Sequence, residues 1–169
     1  TDVRVNKVTG EMFKYKNTPE DFANMDIKEI ENYIRTCGLY KNKAKNIKNA
    51  SIMLIREFDG KVPNNMKDLM KLPGVGRKTA NVVMSNAFGI DAIAVDTHVQ
   101  RVSNRIGIAD SKDVLNTEKD LRKNLPKKKW SKLHHQIIAH GRKICKARNP
   151  LCYECDFKDL CEYYKESLW

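Results

Sequence analysis

Two residues of this chain stand at helix starts where chemistry is possible, and four more form a cluster near its C-terminal end. Lys78 lies in Leu72-Pro73-Gly74-Val75-Gly76-Arg77-Lys78-Thr79-Ala80, a helix end, a glycine-bracketed turn and the opening of a new helix. An ordinary lysine, with a pKa of about 10.4, is less than roughly 0.1% neutral at pH 7 and so a poor nucleophile. At a helix N-terminus and beside Arg77, the charged form of Lys78 is disfavoured, and partial burial would act the same way. An amine so tuned can attack an electrophilic carbon and form a Schiff base. From the lysine alone, a phosphate contact or a solvated side chain explains it equally well.

Asp96 follows the apolar run Ile93-Ala94-Val95 and precedes Thr97-His98. It is expected to cap a helix through the amides of His98 or Val99. The same carboxylate, at the edge of a buried cleft, could stabilise a developing cation and assist proton transfer. Capping and chemistry are compatible, because the cap holds the side chain still.

Cys145, Cys152, Cys155 and Cys161 form the pattern C-x6-C-x2-C-x5-C, while Cys37 stands apart and reads as a buried thiol. Four cysteines in one short basic segment make a metal site or two disulfides, and without a secretion signal the metal is favoured. Zinc prefers paired CxxC knuckles, and only one CxxC is present. A cubane iron–sulfur cluster accepts the wider gaps, since each thiolate binds a separate iron. Zinc stays open as the alternative. Between the first two cysteines, Lys146 and Arg148 are in position to be presented to an anionic partner.

The elements that must position these residues are helical. Thr18 with Pro19 opens one helix, and Asp26 to Glu29 resembles a capping box for the next, which Gly38 ends. Further helices are expected over 41–58, from an Asn64 cap through Met70, over 77–88, from Asp96-Thr97 to Arg105, over 111–125 and from 129 to about 144. No alternating strand pattern and no repeat is found. The expectation is an all-α chain of two lobes, residues 1–92 with the hairpin at about 66–85, and residues 93–169 with the cysteine loop at 145–161.

The turn at 72–76 reads as an anion grip. Leu72 ends a helix, Pro73 cannot continue it, and Gly74 and Gly76 permit backbone angles closed to other residues. The amides from Val75 to Arg77 then face outward at a helix N-terminus, where phosphate is attracted. This spacing is that of a helix–hairpin–helix, which holds a DNA strand by its backbone without reading bases. Charge agrees: Lys+Arg 32 against Asp+Glu 21 gives +11 over 169 residues. Residues 121–153 contain no Asp or Glu, and a smaller acid-free run holds Lys41, Lys43, Lys45 and Lys48. Solvated helix faces account for many of these lysines, and a nucleic-acid footprint for the rest. Neither a membrane-spanning run nor a signal peptide is present, so a cytoplasmic, DNA-associated protein is expected.

Taken together, the segment 72–83, Ala94-Val-Asp-Thr-His98, His140-Gly-Arg142 and the cysteine quartet resemble the endonuclease III family of helix–hairpin–helix DNA glycosylases. The matching segments, in the same order, extend over most of the chain. The resemblance implies a two-lobed α fold with a [4Fe–4S] cluster held by Cys145, Cys152, Cys155 and Cys161. It implies Lys78 as the Schiff-base lysine and Asp96 as the catalytic aspartate. DNA contacts are expected from Leu72, Gly74, Val75, Gly76, Arg77, Lys146 and Arg148. The implied activity is excision of oxidised pyrimidines from duplex DNA by base flipping, followed by β-elimination at the abasic site. A monomer is expected. A related branch, which removes adenine opposite oxidised guanine, lacks the lysine, so Lys78 argues against it. The family's first helix and an upstream glutamine that fills the gap left by the flipped base have no counterpart before Thr1. Either a fragment or an unusually short natural protein is therefore expected. The competing readings are a DNA-binding module without turnover and an iron–sulfur redox protein with a basic docking face.

Overall fold

The computed structural model describes residues 2–166, and every regular element among them is helical. The order is α1 (Asp2–Met12), α2 (Pro19–Asn24), α3 (Ile27–Ile34), α4 (Tyr40–Phe58) and α5 (Met66–Leu69). Then come α6 (Arg77–Phe88), α7 (Thr97–Ile106), α8 (Val114–Asn124), α9 (Trp130–Lys143) and α10 (Glu162–Glu166). Single 3₁₀ turns occupy 127–129, 152–154 and 158–160. The all-α expectation holds, and no described helix is long and apolar enough to cross a membrane.

The chain divides into two compact units, Thr1–Gly76 and Arg77–Trp169. In the first unit, α4 lies against α2 and α3. Its core is Met12, Phe22, Met25, Ile30, Ile34 and Ala44. Thr18 caps α2 in a reciprocal box: its hydroxyl accepts from the Asp21 amide at 3.2 Å, and the Asp21 carboxylate accepts from the Thr18 amide at 3.1 Å. The sequence suggested that box at Asp26–Glu29. There, Asp26 turns to the amide two residues on, Lys28 at 2.7 Å, and caps α3 without a return bond. Helix α1 is an element the sequence reading lacked. Its apolar residues do not form one clean stripe, Val3 and Val5 stay exposed, and burial of Met12 in the core is what anchors it.

In the second unit, α7 packs against α8, α9 and α10. Its core joins Ile93, Val95, Val99, Val102, Leu121, Trp130 and Ile137. The spacing of Val99 and Val102, both fully buried, is that of one helical face. The Trp130 indole donates to the Leu125 carbonyl at 3.0 Å and fixes the entry to α9. The divide between units lies at Gly76–Arg77, where the sequence reading put a lobe boundary near residue 92. Helix α6 goes with the second unit because Arg77 and Asn81 bond Glu118 on α8, and the Ser85 hydroxyl meets that of Ser131 on α9 at 2.6 Å.

Candidate active site

In the first unit, the turn after α5 is built on one buried side chain. Leu72 is 6% exposed, and its carbonyl accepts from the Val75 amide at 3.0 Å, closing the turn over Pro73 and Gly74. Gly74 sits at φ +80°, and a Cβ there would lie 2.7 Å from Asn46 Nδ2 and 2.9 Å from Asn46 Cβ. Both the backbone angle and the lack of room disfavour any residue that carries a Cβ. Gly76 differs from the expectation that both glycines serve their angles. Its φ is not left-handed, and a Cβ there would meet nothing within 4 Å. What it leaves is open space beside the exposed main chain.

The second unit begins with the first turn of α6. Lys78 is exposed there. Arg77 is not free beside it: its Nε and Nη2 donate to the two oxygens of Glu118 at 2.7 and 2.8 Å. Asn81 Nδ2 donates to the same carboxylate at 3.1 Å, and Arg122 Nη1 approaches at 3.5 Å. The Glu118 side chain is 4% exposed. Its negative charge offsets the Arg77 field that the sequence reading directed at Lys78. Arg77, expected as a DNA contact, therefore has one face of its guanidinium committed to Glu118, and its main chain is what continues the turn. Glu118 was invisible in the sequence, where it is one acid in a charged helix.

Asp96 caps α7 as expected. Its Oδ1 accepts from the His98 amide at 2.9 Å and the Val99 amide at 2.8 Å. Both bonds land on one oxygen, which leaves Oδ2 unclaimed by the cap. The carboxylate is half-buried, at the end of the buried run Ala92 to Val95. His134, also unanticipated, lies behind that run with its Nδ1 2.7 Å from the Ala94 carbonyl. A carbonyl only accepts, so Nδ1 carries the proton. Burial pushes the His134 pKa down; the Ala94 bond opposes this, His135 adds to it, and Asp96 and Lys78 pull in opposite directions. Lys78 and Asp96, the two expected catalytic side chains, both belong to this second unit.

Cys145, Cys152, Cys155 and Cys161 line one cavity with Ile144, Pro150 and Leu151. All are free thiols. Burial pushes the Cys152 thiol up, and the other three cysteines add to it. Such a cavity of mutually opposed thiols suits a cation that would deprotonate them. Among the described residues, no three His, Cys, Asp or Glu side chains converge closely enough to hold a single ion. Two guanidiniums shape the surrounding loop. Arg101 donates to the Cys145 and Gly141 carbonyls at 3.0 and 2.9 Å. Arg105 donates to the Lys146 and Ala147 carbonyls at 2.7 and 3.2 Å, lies 3.5 Å from Cys145 Sγ and stacks on Tyr163. His140 Nε2 lies 3.6 Å from Cys155 Sγ. Lys146 and Arg148 project from the held loop and are exposed. In the smaller basic run, by contrast, Lys43 donates to the Gly38 carbonyl and Lys48 to those of Ala23 and Met25, closing helix ends of the first unit.

The comparisons with known proteins agree with one another. Residues 1–127 match the family model of the HhH-GPD superfamily base excision DNA repair proteins. The chain is 52% identical to endonuclease III of Bacillus subtilis (strain 168) over 162 residues, covering 95% of this chain and 74% of that protein. It is 45% identical to endonuclease III of Escherichia coli (strain K12) over 163 residues, 96% of this chain and 77% of the relative. The structure superposes on a trapped endonuclease III–DNA covalent intermediate, an estranged-adenine complex, with a TM-score of 0.94 and 50% identity. That match covers 100% of this chain and 80% of the other. Sequence, family model and fold thus converge, and the chain belongs to the endonuclease III family of HhH-GPD base excision repair proteins.

Proposed function

We propose that Lys78 and Asp96 are the nucleophile and the carboxylate of a bifunctional DNA glycosylase and AP lyase acting in base excision repair. The observation that carries the assignment is Asp96 held by two amide bonds on Oδ1, with Oδ2 spare, in the same unit as an exposed Lys78 at a helix start. In this reading, damaged pyrimidines are flipped out of duplex DNA. The neutral Lys78 amine attacks C1′ as the bond to the base breaks, and Asp96 stabilises positive charge on the sugar. The base leaves with the electron pair of the glycosidic bond and takes up a proton. The nitrogen at C1′ gives up one of its two protons. The C1′–O4′ bond breaks with its electron pair leaving on O4′, which is protonated, so the ring opens to an iminium that keeps one N–H. That iminium acidifies the C2′ proton. Loss of this proton expels the 3′ oxygen and breaks the strand by β-elimination, and water then releases Lys78.

The turn at 72–76 and the α6 N-terminus would hold the DNA backbone through main-chain amides, and the open space beside Gly76 is where a phosphate can approach. Lys146 and Arg148, on the loop fixed by Arg105, supply a second phosphate contact. Cys145, Cys152, Cys155 and Cys161 would hold a [4Fe–4S] cluster. Zinc prefers paired CxxC knuckles, whereas a cubane gives each thiolate its own iron and accepts the wider gaps of this quartet. When bound, the cluster would crosslink residues 145–161 and keep the Lys146–Arg148 loop in shape. The protein would work as a monomer. The test is a panel of duplexes carrying thymine glycol, an abasic site or no lesion, incubated with cluster-loaded protein. Cleavage 3′ to the thymine glycol and abasic sites, with the undamaged duplex intact, is expected. Salt-sensitive binding with no cleavage of either lesion would instead identify a DNA-binding module.

A further inference from the structure

Glu118 is the buried charge that the reaction leaves unused. A carboxylate that is 4% exposed needs strong partners to be kept there, and it has them on both its own helix and α6. Arg77 supplies a two-pronged bond at 2.7 and 2.8 Å, and Asn81 a third at 3.1 Å. Arg77 and Asn81 are four residues apart, so they stand on one face of α6, one turn from each other. A single attachment would let a helix roll about its axis; two attachments one turn apart, one of them a planar fork, do not.

The Ser85–Ser131 hydroxyl bond holds α6 two turns beyond Lys78, so the direction of its first turn depends on the clamp and on little packing. Only Ala80 and Asn81 of α6 are buried, and Asn81 is itself a partner of Glu118. Lys78 follows Arg77 directly, so it points about 100° further round the same turn, and its direction is set by the same rotation. Its amine reaches about 8 Å from the helix axis, so a roll of about 10° moves it by about 1.4 Å.

Accepting Lys78 as the nucleophile, we propose that Glu118 is a positioning residue for the lyase and glycosylase reaction. By clamping Arg77 and Asn81 it sets the rotation of α6, and so the direction in which Lys78 attacks. A misplacement of about 1 Å lowers the rate of a well-aligned step on the order of 10²-fold. The Arg77 and Glu118 side chains are spent on each other, and a small roll about the helix axis shifts main-chain amides close to that axis far less than the lysine amine, so affinity falls much less than rate.

The test uses the full chain, loaded with its cluster, in two forms. Glu118→Gln replaces one accepting oxygen by a donating amide and spoils the fork. The double variant Arg77→Leu/Glu118→Leu keeps the volume while removing both charges, an exchange buried pairs often tolerate. Single-turnover borohydride trapping on saturating abasic-site DNA is measured beside DNA affinity, thermal unfolding and a Lys78→Gln control. The expected result is trapping slowed by about 30- to 100-fold in both forms, with affinity within about twofold of the parent and cooperative unfolding retained. Trapping at the parent rate by either folded variant overturns the proposal. So does a rate loss matched by an equal loss of affinity, or loss of the fold in both, which would make Glu118 a folding element only. If Lys78→Gln traps like the parent, the nucleophile assignment itself fails, and the clamp has nothing to aim.

Discussion

Gly74→Ala should damage this protein far more than Gly76→Ala, although the two glycines bracket one residue of one turn. At Gly74 the left-handed φ of +80° costs a residue bearing a Cβ about 1–2 kcal/mol. The added carbon would also stand 2.9 Å from Asn46 Cβ. The Asn46 amide could swing away, but its Cβ is fixed to the backbone of α4, so the turn or the helix must shift, at about 1–2 kcal/mol more. The sum is about 3 kcal/mol, or a fall in Tm of about 6–12 °C for a chain of this size. At Gly76 the φ is ordinary and nothing lies within 4 Å of the new carbon, so stability should hold within about 0.5 kcal/mol. The effect there should appear in DNA binding instead, as a loss of about tenfold, because the methyl group occupies the room a phosphate would use. Urea unfolding and fluorescence anisotropy on a short duplex separate the two. Unfolding of Gly74→Ala at the parent midpoint, or a Gly76→Ala protein as unstable as Gly74→Ala, would refute this difference between the two glycines.

Three further outcomes are expected. Asp96→Asn keeps an accepting oxygen for the His98 and Val99 amides but loses the charge, so base release should slow by about 10²- to 10³-fold with little change in stability, whereas Asp96→Ala should also lose about 1 kcal/mol of helix cap. His134 has its pKa held below the ordinary value of 6.5, so the unfolded chain takes up a proton first and stability falls as pH drops through that value; His134→Gln should flatten the decline by at most about 1.4 kcal/mol per pH unit, read from urea unfolding between pH 7.5 and pH 5.5. Lys146→Ala and Arg148→Ala should each reduce the slope of log affinity against log salt by about 0.9 if both contact phosphate, and an unchanged slope would remove them from the interface.

The parts of this molecule written in local patterns were legible in its sequence. Asp96 was read as a cap because an aspartate after a buried run and before a helical stripe has one common use, and the His98 and Val99 amides take that bond. The cysteine quartet was read from spacing, and its members do line one cavity. Long-range partners were not legible. Glu118 is forty-one residues from Arg77, and nothing in the composition of α8 marks the one acid that is buried. His134 is forty residues from the carbonyl that fixes its tautomer. Helix α1 was missed because its apolar residues make a weak stripe and tertiary burial of Met12 decides the matter. The glycines of the turn looked equivalent as letters, and only the neighbourhood of Asn46 sets Gly74 apart from Gly76.

The proposed reaction rests on Lys78 forming the covalent bond to the sugar. Borohydride reduction of the protein on abasic-site DNA, followed by protease digestion and mass spectrometry, places that bond on one residue. A single sugar-bearing peptide modified at Lys78 is expected, and none from Lys78→Gln. A reduced adduct on another amine, or full cleavage by Lys78→Gln, would contradict that role for Lys78.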